Sequence, residues 1–190
     1  MINTIDDTTR IFLQRLWRGG EWAYFWYLDE VEVYIDKDGV EREKKRSVWF
    51  PSGKMPPFVN PGDTEHTFFG INPTSEQRKA YQRSDIKSIA VVNCLFCEFD
   101  GDVSYDDVLA IEPTPSYVAE SSHGKYHAYW LLDETYAIES DAGRKYIQNI
   151  QYAWVDYCGG DDASKDITRV LRVPNTRNVK TKYAHDYPIA

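Results

Sequence analysis

Along the chain, apolar positions change period several times, and each change marks an element. Ile11, Phe12, Leu13, Leu16 and Trp17 recur at helical spacing, which predicts an amphipathic helix over 8–17 that ends at Gly19. "EWAYFWYL", residues 21–28, reads as an aromatic strand facing a core. Asp36 to Arg46 reads as a polar hairpin tip around Asp38-Gly39. Prolines at 51, 56, 57, 61 and 73 interrupt the next stretch and leave one short strand over 66–71, before helical character returns over 75–84. The run "KSIAVVNCLFCEFD", 87–100, is β-branched and aromatic and predicts a central strand. Ser104 then caps a short helix, "PSYVAESS" and "KYHAYWLLD" form two strands joined at "SSHG", and a long amphipathic helix over 138–157 closes at Gly159-Gly160. This interleaving of strands and helices predicts an α/β or α+β sandwich with a mixed sheet in a single domain.

Composition narrows the setting. The chain has 190 residues, 42% of them hydrophobic and 27% charged, enough for one substantial core. No apolar run approaches the roughly 20 residues that span a bilayer, and the N-terminus lacks a basic segment followed by an apolar one. A cytoplasmic, membrane-free protein is therefore expected. Three cysteines fit a reducing compartment. Cys94 and Cys97 are three apart on a strand and so point to opposite faces, which favours packing over zinc binding. The formal net charge of −8 argues against indiscriminate coating of nucleic acid. Yet Lys165, Arg169, Arg172, Arg177, Lys180 and Lys182 stand against the single acid Asp166 between positions 165 and 182. Arg169 and Arg172 lie among Val170, Leu171 and Val173, so this basic segment is not merely solvated surface.

Three stretches carry candidate chemistry. In "NCLFCEFDGD" the strand ends in Glu98, Asp100 and Asp102 at alternate positions, where side chains on one face lie about 6.5–7 Å apart. Carboxylates so placed repel unless a cation lies beside them, and a divalent ion would relieve the repulsion. The plainer alternative is that "DGD" simply opens a turn. In "SSHGKYHAYWLL" a glycine turn leads into a strand bearing His127, with Ser122, Lys125 and backbone N–H groups as donors suited to phosphate. In "GGDDASKDITRVLRVPNTRNVK" the acids Asp161, Asp162 and Asp166 precede Arg169 and Arg172, a juxtaposition that suits a metal-bound triphosphate.

In this order the three stretches resemble the archaeo-eukaryotic primase superfamily, in its primase-polymerase branch from plasmids, phages and mobile elements. "FCEFDGD" matches the acid-x-acid motif through Glu98 and Asp100, and "SSHGKYHAYW" matches the histidine motif through His127. "RVLRVPNTRNVK" matches the basic motif through Arg169, Arg172, Pro174, Thr176, Asn178 and Lys180. The likeness covers roughly residues 89–180. It departs from the family where Glu98 replaces aspartate and where Asn175 replaces the glycine after proline, although asparagine tolerates left-handed backbone.

The resemblance implies a primase catalytic core: an RRM-like mixed sheet (89–182) joined to an N-terminal α/β unit (1–88) in one domain, 1–190. It implies two Mg²⁺ or Mn²⁺ ions on Glu98, Asp100 and Asp161, with Asp166 the second choice for the third ligand. Ser122, Lys125, His127, Arg169, Arg172, Asn178 and Lys180 would contact a dNTP or NTP. The expected activity is primer synthesis or extension on a single-stranded DNA template, with a helicase or accessory domain as a partner. The rivals are a metal-dependent nuclease or phosphohydrolase and a non-catalytic nucleotide- or nucleic-acid-binding module. A rolling-circle initiator is disfavoured, since no His-x-His pair occurs and His66 and His185 stand far in sequence from His123 and His127.

Overall fold

In the computed structural model, which describes residues 3–180, the N-terminal apolar stripe folds as expected. After a short β1 (Asn3–Thr4), α1 (Asp7–Leu16) starts at Asp6, whose carboxylate accepts from the Thr9 amide at 2.9 Å. The aromatic strand is longer than its apolar part: β2 (Trp22–Ile35) pairs with β3 (Glu41–Pro51) over Trp22–Leu28 and again over Val33–Ile35, with an irregularity between. The turn between them is closed by Asp36, which accepts from the amides of Asp38 and Val40, with Gly39 at a φ of 78°. β3 replaces part of the expected hairpin tip, and "EREKKRS" shows no apolar alternation that would mark a strand. Its outer half belongs to a solvated ribbon, where pairing with β2 rather than burial makes the strand.

The chain continues through β4 (Phe58–Val59), β5 (Glu65–Gly70), β6 (Val91–Phe99), α2 (Tyr105–Leu109), β7 (Tyr117–Ser122), β8 (Lys125–Ala137), α3 (Asp141–Cys158) and β9 (Val170–Arg172). Ser104 caps α2 in a reciprocal capping box with Asp107. The expected helix over 75–84 does not form. Its backbone instead lies along the edge of β3, where the Ser47 amide donates to the Ala80 carbonyl, and Tyr24 Oη meets Ser84 Oγ at 3.0 Å. With Tyr81 exposed, the segment has no apolar stripe to bury as a helix.

Two main sheets result, in strand orders β3-β2-β5-β9 and β6-β8-β7, plus the small β1-β4 pair. The α+β class holds, but every ladder among the described residues is antiparallel, where a mixed sheet was expected. The β6-α2-β7-β8-α3 run has the RRM-like order, with β8 inserted between β6 and β7. The next strand, β9, leaves that unit and pairs with β5 of the other sheet. One core joins the two sheets: Ala23, Phe25, Tyr27, Phe69 and Leu171 meet Phe12, Leu13, Leu16 and Trp17, and also Cys94, Phe96 and Tyr129. The opposite face of β6 and β8 packs Cys97, Phe99, Ala128 and Trp130 against Val108 and Val155. The two cysteines thus serve opposite faces, as their spacing implied. Among the described residues no helix is long and apolar enough to cross a membrane.

β6 is an edge strand, and its outward peptide groups are satisfied by side chain and turn rather than by another strand. Gln151 of α3 donates from Nε2 to the Phe96 carbonyl at 2.8 Å and to the Ser164 carbonyl at 2.7 Å, and its Oε1 accepts from the Phe96 amide at 3.4 Å. Two residues on, the Asp161 amide donates to the Glu98 carbonyl at 2.8 Å. The glycines before Asp161 make this approach possible. Gly159 adopts the left-handed conformation that ends α3, and a Cβ on Gly160 would collide with Cys97 Sγ. Gln151→Leu leaves buried peptide groups of Phe96 and Ser164 without partners and should cost about 2–4 kcal/mol in urea unfolding. A loss below about 1 kcal/mol would show that the edge finds other partners.

Candidate active site

The strand-end acids and the basic segment meet in a cleft of about 240 Å³ between the two sheets. Glu98 and His127 lie directly opposite each other in the β6-β8 ladder, and both are buried. The crossing of the chain to β9 carries Arg169 back over this pair. Its guanidinium grips Glu98 two-pronged, Nε to Oε1 at 2.6 Å and Nη2 to Oε2 at 3.2 Å. Asp100, just past the end of β6, accepts from Lys125 Nζ at 2.9 Å. Arg172 is buried in β9. It lies 5.1 Å above the Phe68 ring and donates from Nη1 to His66 Nδ1 at 3.1 Å and to the Arg177 carbonyl at 3.3 Å. Packing therefore fixes its planar fork.

Charge and burial set the ionisation of these groups. Burial pushes the Glu98 carboxyl up; Arg169 pulls it back, while the charges of Asp100 and Asp161 push it further up. Arg169 is held above the ordinary guanidinium value: burial acts against it, and its bonds and charge pairing with Glu98 more than offset that. His127 is pushed down to about 3 by burial and then by Arg172 and Arg169, so it is neutral near pH 7. Its Nδ1 is buried without a hydrogen-bond partner, while Nε2 faces Glu98 Oε2 at 3.6 Å, which places the proton on Nε2. His66 is pushed down to about 4 by burial, Arg172 and Lys180. Because an arginine can only donate, His66 Nδ1 must accept and the proton sits on Nε2, which lies 3.3 Å from Glu30 Oε2 but makes no hydrogen bond.

Of the residues singled out from sequence, Glu98, Asp100, Ser122, Lys125, His127, Arg169, Arg172, Asn178 and Lys180 all line this one cleft. Asn178 is tied in through the Ser121 carbonyl at 3.5 Å. Asn175 does take the left-handed conformation, at a φ of 59°, and its amide bonds Asp6 at 2.6 Å. The three later acids fare differently. Asp161 caps the turn over Asp162–Lys165 and accepts from the Ala163 amide at 2.7 Å. It reaches Glu98 through its backbone bond and its charge, but does not line the cleft. Asp162 pairs with Lys165. Asp166 accepts from Thr168 and also lies outside the lining. Asp102 leaves the face shared by Glu98 and Asp100, because β6 stops at Phe99; it lines a separate cavity with Asp107 and His123. The turn donor at Gly124 is already taken by Glu120 at 2.9 Å. Lys182 and His185 lie outside the described residues.

Among the described residues no three His, Cys, Asp or Glu side chains converge as a metal site. Both Glu98 oxygens are engaged by Arg169, and Asp100 by Lys125. The chemistry of the donors still fits a hard divalent cation: Glu98, Asp100 and Asp161 are oxygen donors whose mutual charge already raises Glu98. Far in sequence from His123 and His127, His66 nonetheless lines the cleft. His66 and Phe68 alternate on β5, and the Phe68↔Arg172 register carries them to the basic motif. Alternation puts His66 and Phe68 on one face, but only the β5-β9 pairing shows which arginine that face meets.

The fold defined by these two sheets is similar to that of a solved primase-polymerase. The AEP domain of the cyanophage S-2L primase-polymerase aligns with 88% of this chain and 80% of its own, at a TM-score of 0.56 and 16% identity, a likeness of fold. The crystal structure of primase RepB′ aligns with 95% of this chain and 53% of its own, at a TM-score of 0.49 and 15% identity. A "Replication protein" of Clostridium perfringens is 31% identical over 111 residues, 51% of this chain; the match spans about a quarter of that relative's length, 26%. Residues 71–187 match the RepB DNA-primase N-terminal domain, and the chain belongs to that family.

The depressed histidines predict an acid-sensitive fold. Above the ordinary value of 6.5 both folded and unfolded chains carry neutral His66, and its contribution is complete. As pH falls below 6.5 the unfolded chain takes up a proton that the folded chain refuses until about 4, so stability is lost across that window. His66→Gln, which keeps an acceptor for Arg172, should flatten the dependence of unfolding free energy on pH by up to about 1.4 kcal/mol per pH unit. Urea unfolding at pH 7, 6 and 5 checks this, and equal slopes for the two proteins would refute it.

Proposed function

We propose that this chain is the catalytic domain of a template-dependent primase-polymerase that makes or extends primers on single-stranded DNA by two-metal nucleotidyl transfer from dNTPs or NTPs. The observation that carries the reading is one cleft in which Glu98 and Asp100 face Lys125, Arg169 and Arg172. A lining of both signs suits a ligand that also carries both, a triphosphate with its divalent cations. Family membership and the likeness of fold support the same reading.

Bound on Glu98, Asp100 and Asp161, Mg²⁺ or Mn²⁺ would neutralise the triphosphate and activate the attacking 3′-hydroxyl. The protein's own groups do the positioning. Arg169 is already charged and two-pronged and would exchange the Glu98 carboxylate for phosphate oxygens, as Lys125 would exchange Asp100. Arg172, held by His66, Phe68 and the Arg177 carbonyl, presents a fork that needs little reorganisation. His127 offers an uncharged N–H from Nε2, while Ser122, Asn178 and Lys180 add donors at the rim.

One observation favours a second reading, a binding module without catalysis: with Glu98 closed onto Arg169, no three-ligand metal site is assembled among the described residues. Product analysis separates the two. Labelled nucleotides with unprimed single-stranded DNA, with and without Mn²⁺, should yield extended strands; bound nucleotide without product would support the module, and shortened DNA a nuclease.

Asp100→Ala should stay folded and lose incorporation by more than the roughly 10–100-fold that outer-shell partners of metal ligands carry. Wild-type synthesis by the folded variant would end the two-metal mechanism. Arg172→Lys keeps the charge and loses the fork, so nucleotide affinity should fall about tenfold or more in a direct titration. Unchanged affinity would remove Arg172 from the triphosphate site.

A further inference from the structure

Beside the cleft runs a second groove of about 480 Å³, which shares Phe68 and Arg169 with it as a common wall. Its floor is the face of the four-stranded sheet turned away from the core. Ala23, Phe25 and Tyr27 point into that core, so Trp26 lies on the other face, and the register Trp26↔Phe68↔Arg172 makes this face continuous with the cleft. The outer wall is the segment expected to be a helix. Pinned at Ala80 by β3 and at Ser84 by Tyr24, it holds Tyr81 and Arg83 over the groove between the two pins. Tyr81 is 63% exposed, and the Arg83 guanidinium lies 5.9 Å from the Trp26 ring.

The charge of this groove is opposite to that of the chain. Lys45, Arg83 and Arg169 line it and no carboxylate does, in a protein of formal charge −8; Lys45 pairs with Glu43 and Arg169 with Glu98, neither of which lines the groove. A further cavity that shares Asp100 and Lys125 with the active cleft is lined by Asp100, Asp102 and Asp107 against the single lysine, a net negative lining that suits a phosphate backbone less well. An exposed aromatic residue among cations, beside the active cleft, is the arrangement that holds an unpaired strand by base stacking and backbone neutralisation.

We infer that the Trp26–Tyr81–Arg83 groove is the track on which single-stranded nucleic acid enters the active cleft, with a base stacked on Tyr81 and a phosphate at Arg83. The inference rests on the primase-polymerase reading for what the strand does next, and its test does not depend on catalysis. Fluorescence anisotropy with a labelled oligothymidylate and an abasic oligomer of equal length, without metal or nucleotide and at several salt concentrations, measures the two contacts separately. Tyr81→Ala should weaken oligothymidylate binding about tenfold and leave abasic binding unchanged, with Tyr81→Phe restoring affinity. Arg83→Gln should weaken both oligomers and reduce the salt slope by about 0.7. Both positions are exposed, and thermal midpoints equal to wild type confirm folding. Wild-type affinity in both variants, or no binding of either oligomer by the wild type, would overturn the inference. Primer synthesis by the wild type, assayed in parallel, keeps the two ideas apart. If Tyr81→Ala loses oligothymidylate but wild type makes no product, catalysis fails and the track stands; if wild type makes product and the variants bind normally, the track alone fails.

Discussion

Glu98 and Arg169 face each other across the seam between the two sheets, and the geometry of the site depends on that contact. Glu98 belongs to β6 in the three-stranded sheet, while Arg169 leads into β9 at the edge of the four-stranded one. A carboxylate this buried is costly without a cation, and a two-pronged guanidinium is the partner best shaped for it. The pair therefore ties strand end to strand start and fixes how far β9 lies from β6. It also puts the site in a charge-balanced state from which both members can be drawn by a ligand of mixed charge. A purely acidic pocket would be self-repelling when empty, whereas this one is self-neutralised.

A second constraint acts along the open edge of β6. An edge strand leaves every other peptide group unpaired, and buried peptide groups must find partners. Here Gln151 completes Phe96 and the Asp161 amide completes Glu98, so the helix and the turn after it stand in for a missing strand. The same bonds that protect the edge deliver Asp161 to within electrostatic reach of Glu98. Stability and site geometry are thus one arrangement: α3 cannot shift without disturbing the carboxylates.

The outer half of the β2-β3 ribbon and the loop over 75–84 show where pattern reading meets its limit. β3 contains no apolar alternation in "EREKKRS", yet it is a strand because β2 supplies ladder partners on both sides of one irregularity. The 75–84 segment has helical spacing but no surface to bury, and its backbone groups are better satisfied against β3 and Tyr24. In both, non-local hydrogen bonding outweighs local preference.

What the sequence determined by itself was local: the helix stripe of α1, the N-cap at Ser104, an asparagine at 175 that tolerates left-handed backbone, the opposed faces of Cys94 and Cys97, and the order of acid, histidine and arginine motifs. These depend on residues a few positions apart, where period and capping chemistry decide the outcome. Tertiary structure decided which motif residues share a cleft. It brought His66 to Arg172 through the β5-β9 register, turned Asp102 away where β6 ends, left Asp166 outside, and pressed Gly160 against Cys97 so that Asp161 could reach Glu98. Such contacts join residues far apart in the chain, and only the pairing of strands and the packing of one core against two sheets can fix their distances.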